Sequence, residues 1–325
     1  MLRFLVRRLL GAALILFIVI TATFFLFFAV PDDPARLSCG KTCTPDTLAA
    51  IRANLGLDQS VPAQYWDYLS GIFVGRDYGE MRCDAPCLGY SFVNSEPVLD
   101  TLLDRFPATL SLAFGASVIF LTVGIGVGVV AALNRGGWLD KTTMALSLIG
   151  ASVTIQFLGV IARYVFVDEL RWLPKPEYVP LLDDTPGWAG GLLLPWLTLA
   201  VVQAAVYTRL TRSSMVDSLQ EDYVRTVRAK GLTPFQVTGK HAWRGAVTPV
   251  LTVYGIELGT LLGGAVVTET TFNIPGIGKL AVSSVANSDL PMIMGVVLIA
   301  AGAMVLANVV VDALYAVIDP RVRLS

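Results

Sequence analysis

The chain has 325 residues, of which 54% are apolar and 15% charged, with a net charge of -1 and one histidine. Soluble domains carry roughly 25% charged residues, and one of this size cannot bury so much apolar surface, so the composition points to a bilayer as solvent. The charge balance excludes a basic nucleic-acid face, and the lone His241 excludes histidine metal clusters and most hydrolytic triads.

Residues 9–30 are uncharged and follow Arg3, Arg7 and Arg8. A span needs about 20 residues. This stretch is too long for a signal-peptide core, and Ala29-Val30-Pro31 is a poor cleavage site, so it reads as an uncleaved first helix. Residues 31–105 are too many for a simple connection and should fold as an insertion. Thr44-Pro45-Asp46 signals a helix start, Leu48, Ile51 and Leu55 follow at helical spacing, and Gly56 ends the run. Tyr65, Trp66, Tyr68 and Leu69 suggest a second helix near the membrane surface.

Cys39, Cys43, Cys83 and Cys87 all lie in this insertion, as two C-x-x-x-C pairs. Disulfides are expected on the oxidising side of a membrane. A four-cysteine metal site is the alternative, but the spacing is not the C-x-x-C of a zinc knuckle, and no metal is expected. Four cysteines allow three connectivities, and neighbours four apart can reach each other. The expectation leans towards cross-pairing of Cys39 and Cys43 with Cys83 and Cys87, which would tie the 81–96 region to the start of the insertion.

Residues 106–133, 142–162 and 185–208 are uncharged and form the second, third and fourth expected spans. The fifth, 245–268, is interrupted by Glu257, and the last is 290–311. Gly124 and Gly128, and Gly255, Gly259 and Gly263, repeat every four residues. Such faces let helices approach closely, either within the chain or at a seam between subunits. Between the last two spans lies Phe272-Asn273-Ile274-Pro275-Gly276-Ile277-Gly278. Proline and paired glycines near membrane depth indicate broken backbone, tolerated only where protein or a water-filled cavity surrounds it. A pore-lining re-entrant segment and an ordinary surface loop are both open. Glu257, Phe272, Pro275, Gly276 and Gly278 are the candidates for a translocation path or gate.

Basic residues set the orientation. With the N-terminus inside, Arg3, Arg7, Arg8, Arg135, Lys141, the basic residues of 209–244, Arg321 and Arg323 fall inside, while acids concentrate outside. Both termini are therefore expected on the cytoplasmic side of the cell membrane. The fold expected is an all-α polytopic membrane protein with six transmembrane helices. Its parts are 1–30 (cytoplasmic end and first helix), 31–105 (a lid-like insertion) and 106–325 (a five-helix core containing the loop 213–244).

That cytoplasmic loop is heavily punctuated. Ser218-Leu219-Gln220-Glu221 has a capping-box pattern, and a short amphipathic helix follows to Lys230. Gly231 is placed as a stop, with basic residues in the last turn. Thr233-Pro234-Phe235-Gln236 opens another helix with a second capping box, leading to the fifth span through Thr248-Pro249. A helix–glycine–helix elbow of this kind is a docking device. A solvated basic loop would not need two caps and a glycine break.

Asp222-Tyr223-Val224-Arg225-Thr226-Val227-Arg228-Ala229-Lys230-Gly231-Leu232 resembles the EAA loop of ABC importer permeases, which in the oligopeptide/dipeptide branch runs D-Y-V-R-T-A-R-A-K-G-L. Similar agreement is found at Ile51–Asp58 with Gln64-Tyr65, at Phe106–Leu110, at Gly263–Phe272 with Pro275–Gly278, and at Asp312–Arg323 with Asp319-Pro320-Arg321. The resemblance implies a non-catalytic, channel-forming subunit that moves peptides by alternating access. Its partners would be a second homologous permease, two ATPase subunits that bind ATP and Mg, an extracytoplasmic peptide-binding protein and membrane lipid. Glu221, Asp222, Tyr223, Arg225, Arg228, Ala229 and Gly231 would couple to the ATPase. Arg225 stands where the broader superfamily has its glutamate, and the nearest carboxylates are Asp222 and Glu221, so the contacting residue stays open. The cysteine pairs and 81–96 are additions to the family pattern. Relatives for nickel chelates and glutathione share the pattern.

The chain carries no cofactor motif: Gly239-Lys240 is followed by His241 and lacks the upstream glycine of a P-loop. An ion-coupled secondary transporter would need midplane ionisable residues. Glu257, and Arg163 at the outer end of the third span, read instead as polar pore lining or a helix–helix pair. Intramembrane enzyme motifs (G-x-S-x-G, H-E-x-x-H, paired aspartates) do not occur in the spans. Reporter fusions at Arg323 and at Asp58 are expected to report opposite sides of the membrane, and the same side for both would overturn this topology.

Overall fold

The structure, a computed structural model, describes residues 2–31, 33–41, 43–79 and 81–318. The terminal motif Asp319-Pro320-Arg321 and Arg323 lie outside the described residues. Five helices are long and apolar enough to cross a membrane: Arg7–Ala29, Val98–Leu133, Thr185–Gln220, Pro234–Leu262 and Leu290–Val311. A helix pair, Trp138–Ser152 with Ile155–Glu169, bent by 93°, makes a sixth when the two are taken as one broken span.

In chain order, α1 (Leu2–Phe24) runs into a π-helical turn, Phe25–Ala29. The insertion follows, with α2 (Pro45–Leu55), α3 (Val61–Val74) and two small hairpins, β1 (Arg76–Tyr78) with β2 (Met81–Cys83) and β3 (Tyr90–Ser91) with β4 (Glu96–Pro97). Then come α4 (Val98–Leu133), α5 (Trp138–Ser152), α6 (Ile155–Arg163) and α7 (Thr185–Gln220). The elbow is α8 (Asp222–Ala229), α9 (Pro234–Gln236) and a π turn, Val237–Ala242, that feeds α10 (Trp243–Leu262). Two short helices, α11 (Val266–Phe272) and α12 (Ile277–Ala286), precede α13 (Leu290–Ile318).

Two spans differ from expectation. The third is broken between α5 and α6, because Val153 (ψ 131°) and Thr154 (ψ 141°) take extended backbone. Successive β-branched residues favour that conformation. The fifth begins at Pro234 and ends at Leu262 rather than covering 245–268, because Gly264 (φ +121°) turns the chain out of the helix.

Glycine spacing builds the bundle from within the chain. A Cβ at Gly124 would lie 2.6 Å from Tyr207 Cβ, and one at Gly128 2.7 Å from Thr211 Cβ, so α4 and α7 meet backbone to side chain. Gly255, Gly259 and Gly263 similarly face Val311, Met304 and Ala300, seating α10 on α13. Both stripes are intrachain seams of the close-approach kind. Towards the elbow end of α7, Arg212 grips Asp140 through two hydrogen bonds of 2.8 and 2.7 Å, fastening α5 to α7.

The insertion has a core of its own, formed by Ile51, Leu55, Tyr78, Tyr90 and the buried cysteines. Thr44 caps α2 by accepting the Thr47 N–H at 3.2 Å, and Gly56 (φ +67°) ends it in the left-handed region. Arg52 donates to Asp33 at 2.6 Å, and that bond holds the Asp33 carboxyl below its usual range. Of the aromatics on α3, Tyr65 and Tyr68 turn inward to pack on Phe24 of the first span, and the Tyr65 hydroxyl lies 2.8 Å from Thr21 Oγ1. Trp66 stays exposed. Ser91, fully buried, donates to Asp289 at 2.5 Å and so ties the insertion to the start of α13. Burial pushes the Asp289 carboxyl up, and the bonds from Ser91 and the Met292 N–H oppose the shift.

The disulfides are local, correcting the expected cross-pairing: Cys39 bonds Cys43 and Cys83 bonds Cys87. Each pair closes its own turn at a Cα–Cα distance of 5.4 or 5.6 Å, within ordinary disulfide reach. Turn geometry brings these neighbours together before the two pairs could compete for each other. Peptide mapping without reduction is expected to recover the 39–43 and 83–87 linkages and no cross-linked peptide; a linkage between the pairs would overturn this arrangement.

Candidate functional site

The elbow grows directly out of the fourth span. α7 continues to Gln220, so Ser218-Leu219-Gln220 is its last turn and not the start of a new helix. The capping box expected at Ser218–Glu221 is therefore not formed; Glu221 precedes α8 in extended backbone (ψ 144°) without a side-chain cap. The second expected box is present. Thr233 accepts the Gln236 N–H at 3.4 Å, and Gln236 Oε1 accepts the Thr233 N–H at 3.2 Å.

Between these ends α8 lies with one face inward. Val224 is fully buried among Met215, Val216, Val237, Ala242 and Ala246. Glu221, Asp222, Arg225, Arg228, Ala229 and Lys230 are exposed on the other side. Arg225 reaches Asp222 at 3.7 Å, an exposed pair that contributes little. Gly231 has φ +80°, and a Cβ there would meet no atom within 4 Å. Its glycine is required by backbone conformation and not by space. Phe235, just beyond the break, is 86% exposed. It was not singled out in the sequence, where a phenylalanine after Pro234 reads as core.

Tyr223 is half-turned inward. Its hydroxyl lies 3.1 Å from Ser218 Oγ and 3.4 Å from the His241 carbonyl, and Ser218 donates to the Ala242 carbonyl at 2.6 Å. Gly245 borders the pair: a Cβ there would lie 2.8 Å from Ser218 Oγ and 3.1 Å from the Tyr223 hydroxyl.

The second candidate region is the hairpin of α11 and α12. Phe272, Gly276 and Gly278 are buried in the chain, and Pro275 is half-buried. The hairpin is closed by Glu269, which is fully buried and was missed in the sequence. Thr109 of α4 donates to Glu269 Oε1 at 2.8 Å and accepts the Ile277 N–H at 2.8 Å. Glu269 Oε2 accepts the Lys279 N–H at 2.9 Å. A Cβ on Gly276 would lie 2.3 Å from the Glu269 carboxyl carbon, and one on Gly278 2.7 Å from the Val266 Cα. Asn273 (φ +61°) caps α11 in the left-handed region. Glu257 lies apart from this hairpin, half-buried on α10, and accepts a hydrogen bond from Gln203 of α7. Among the described residues no cluster of His, Cys, Asp and Glu could hold a metal ion.

The Thr109 bridge is testable. Thr109→Val keeps the shape but leaves the Ile277 N–H and one Glu269 oxygen without their partner, at roughly 1–3 kcal/mol for each orphaned group. The thermal midpoint of the purified protein is expected to fall clearly in Thr109→Val and much less in Thr109→Ser; equal midpoints would overturn the bridge.

With this geometry in place, comparison with known proteins is informative. Residues 1–113 match the N-terminal family model of binding-protein-dependent transport system membrane components, and residues 124–324 match that of binding-protein-dependent transport system inner membrane components. A Brucella abortus protein bearing the name peptide transport system permease is 40% identical over 317 residues, covering 98% of both chains. The probable peptide ABC transporter permease of Sinorhizobium fredii is 38% identical over 320 residues, covering 98% of this chain and 99% of its own. The glutathione transport system permease of Escherichia coli is 39% identical over 323 residues, covering 99% of both. These matches cover nearly the whole chain, and the chain belongs to the binding-protein-dependent transport system inner membrane component family.

Proposed function

We propose that this chain is the permease subunit of an ATP-driven importer that carries small peptides across the cytoplasmic membrane by alternating access. Its partners are a second homologous permease, two ATPase subunits and an extracytoplasmic binding protein. The observation that carries the reading is the elbow. A helix of 8 residues is held on one face by Val224, presents Arg225, Arg228 and Lys230 on the other, and ends at a left-handed glycine. Isolated helices shorter than about 12 residues are marginal in water, so the exposed face calls for a partner surface.

Energy enters through that partner. The chain has no P-loop, and ATP with its Mg belongs on the ATPase subunits. The basic outer face suits an acidic cleft, and Phe235 offers an aromatic anchor of the kind that concentrates binding energy. Both termini lie on the same, cytoplasmic side, so the insertion stands outside, where a binding protein delivers cargo. The relatives named for peptides and for glutathione, itself a tripeptide, are about equally similar. Cargo is therefore read as short peptides, with glutathione as the second reading; uptake assays with each separate the two.

Gly231→Val places a β-branched side chain at φ +80°, where strain costs about 1–2 kcal/mol and no neighbouring atom is touched. The variant is expected to insert at normal levels, pair with its sister subunit and lose ATPase docking or binding-protein-stimulated hydrolysis. Peptide transport at the wild-type rate in reconstituted complexes would overturn the elbow as the coupling element.

A further inference from the structure

We infer that the Tyr223 hydroxyl, seated on Ser218, is a positioning latch that makes α8 move the fourth and fifth spans together. The inference rests on the function proposed above and names the residues through which motion of the elbow is passed on.

α8 is joined to the rest of the chain by two weak covalent pivots. On one side the link to α7 is the single extended residue Glu221. On the other it is Gly231, which is surrounded by open space. A push on the outer face of α8 could be absorbed by rotation at both. What resists rotation is non-covalent contact on the inner face, and two kinds are present there among the described residues. Val224 and Val227 pack apolar surface, which holds the helix down but lets it slide, because apolar contact is non-directional. The Tyr223 hydroxyl is directional.

Its partners belong to different spans. Ser218 is in the last turn of α7, and the His241 and Ala242 carbonyls lie in the π turn that feeds α10. Ser218 has one proton and spends it on Ala242, so the single Tyr223 proton faces two acceptors, Ser218 Oγ at 3.1 Å and the His241 carbonyl at 3.4 Å. One tyrosine and one serine thereby join three elements: the end of the fourth span, the elbow helix and the entry to the fifth. Gly245 is the space that lets them meet, since a Cβ would press on both oxygens. Ser218 is buried, while the tyrosine ring keeps an exposed side. Carried by ring stiffness, a displacement of α8 therefore reaches both spans at one point.

The test uses the complete complex of both permeases and both ATPase subunits in proteoliposomes with loaded binding protein. It reads peptide imported per ATP hydrolysed, alongside the amount of ATPase bound. Tyr223→Phe, Ser218→Ala and Gly245→Ala are each expected to lower the ratio by about fivefold, the equilibrium weight of one net hydrogen bond. Gly245→Ala does so with both hydroxyls intact. Ser218→Ala and Gly245→Ala, whose sites are not on the docking face, are expected to retain bound ATPase. The Tyr223→Phe/Ser218→Ala pair is expected to lose less than the product of the two single losses, since both delete the shared Tyr223–Ser218 contact. Ser218→Thr, which keeps the hydroxyl, is expected to restore the wild-type ratio. A wild-type ratio in Tyr223→Phe and Gly245→Ala would overturn the latch, as would a ratio that falls only in step with lost ATPase. A wild-type chain that retains no ATPase would overturn the functional reading, and the latch with it.

Discussion

Backbone polar groups at membrane depth have no water to bond, so every interruption of a helix must be paired from inside the protein. This protein interrupts its helices in two places that matter, and each interruption recruits side chains from a distant span. At the end away from the elbow, the chain leaves α10 through Gly263-Gly264 and returns as the α11–α12 hairpin. Glu269 and Thr109 supply the missing partners for the freed N–H groups of Ile277 and Lys279. A buried carboxylate is expensive, and here its oxygens are met by a hydroxyl and a backbone N–H. The break is therefore a rigid joint, and the glycines at 276 and 278 exist because the carboxylate and the returning helix leave no space for a Cβ.

At the elbow the same constraint relaxes. α4 and α7 each have 36 residues, about 54 Å at the rise of an α-helix. That exceeds the roughly 30 Å hydrocarbon core, so each is longer than a crossing needs, α4 at the end that joins the insertion and α7 at the end that joins the elbow. The elbow end of α7 is braced by the Asp140–Arg212 pair and carries Ser218 to the elbow. Tight glycine seams between α4 and α7, and between α10 and α13, make two stiff helix pairs. Elements so packed move as bodies rather than bending continuously.

What could be read from the chain followed the range of the interaction. Local punctuation was legible: Thr44 with Gly56, Thr233 with Gln236 and the left-handed Gly231 all act within a few residues of themselves. Apolar length marked every crossing, although it could not show that Val153 and Thr154 break the third. The capping pattern at Ser218–Glu221 misled because the same residues also continue an existing helix, and continuity of α7 won. Glu269 escaped notice because its partner Thr109 lies 160 residues away, and a glutamate beside a span looks like an interfacial charge. Phe272, Gly276 and Gly278 were visible as broken backbone, but only the three-dimensional arrangement distinguishes a packed joint from a lining. Arg212 likewise counted only among the basic residues that set orientation until the fold brings it to Asp140.

The two disulfides bear on how the protein is made. Each joins cysteines separated by only 4 positions in the chain. Closing so short a loop carries a small entropic cost, and the right partner is the nearest one along the ribbon. Each bond can therefore form as soon as its own turn meets an oxidant, while later helices are still being synthesised. Oxidation is thereby uncoupled from assembly, and the insertion can be complete before the helix bundle that follows it.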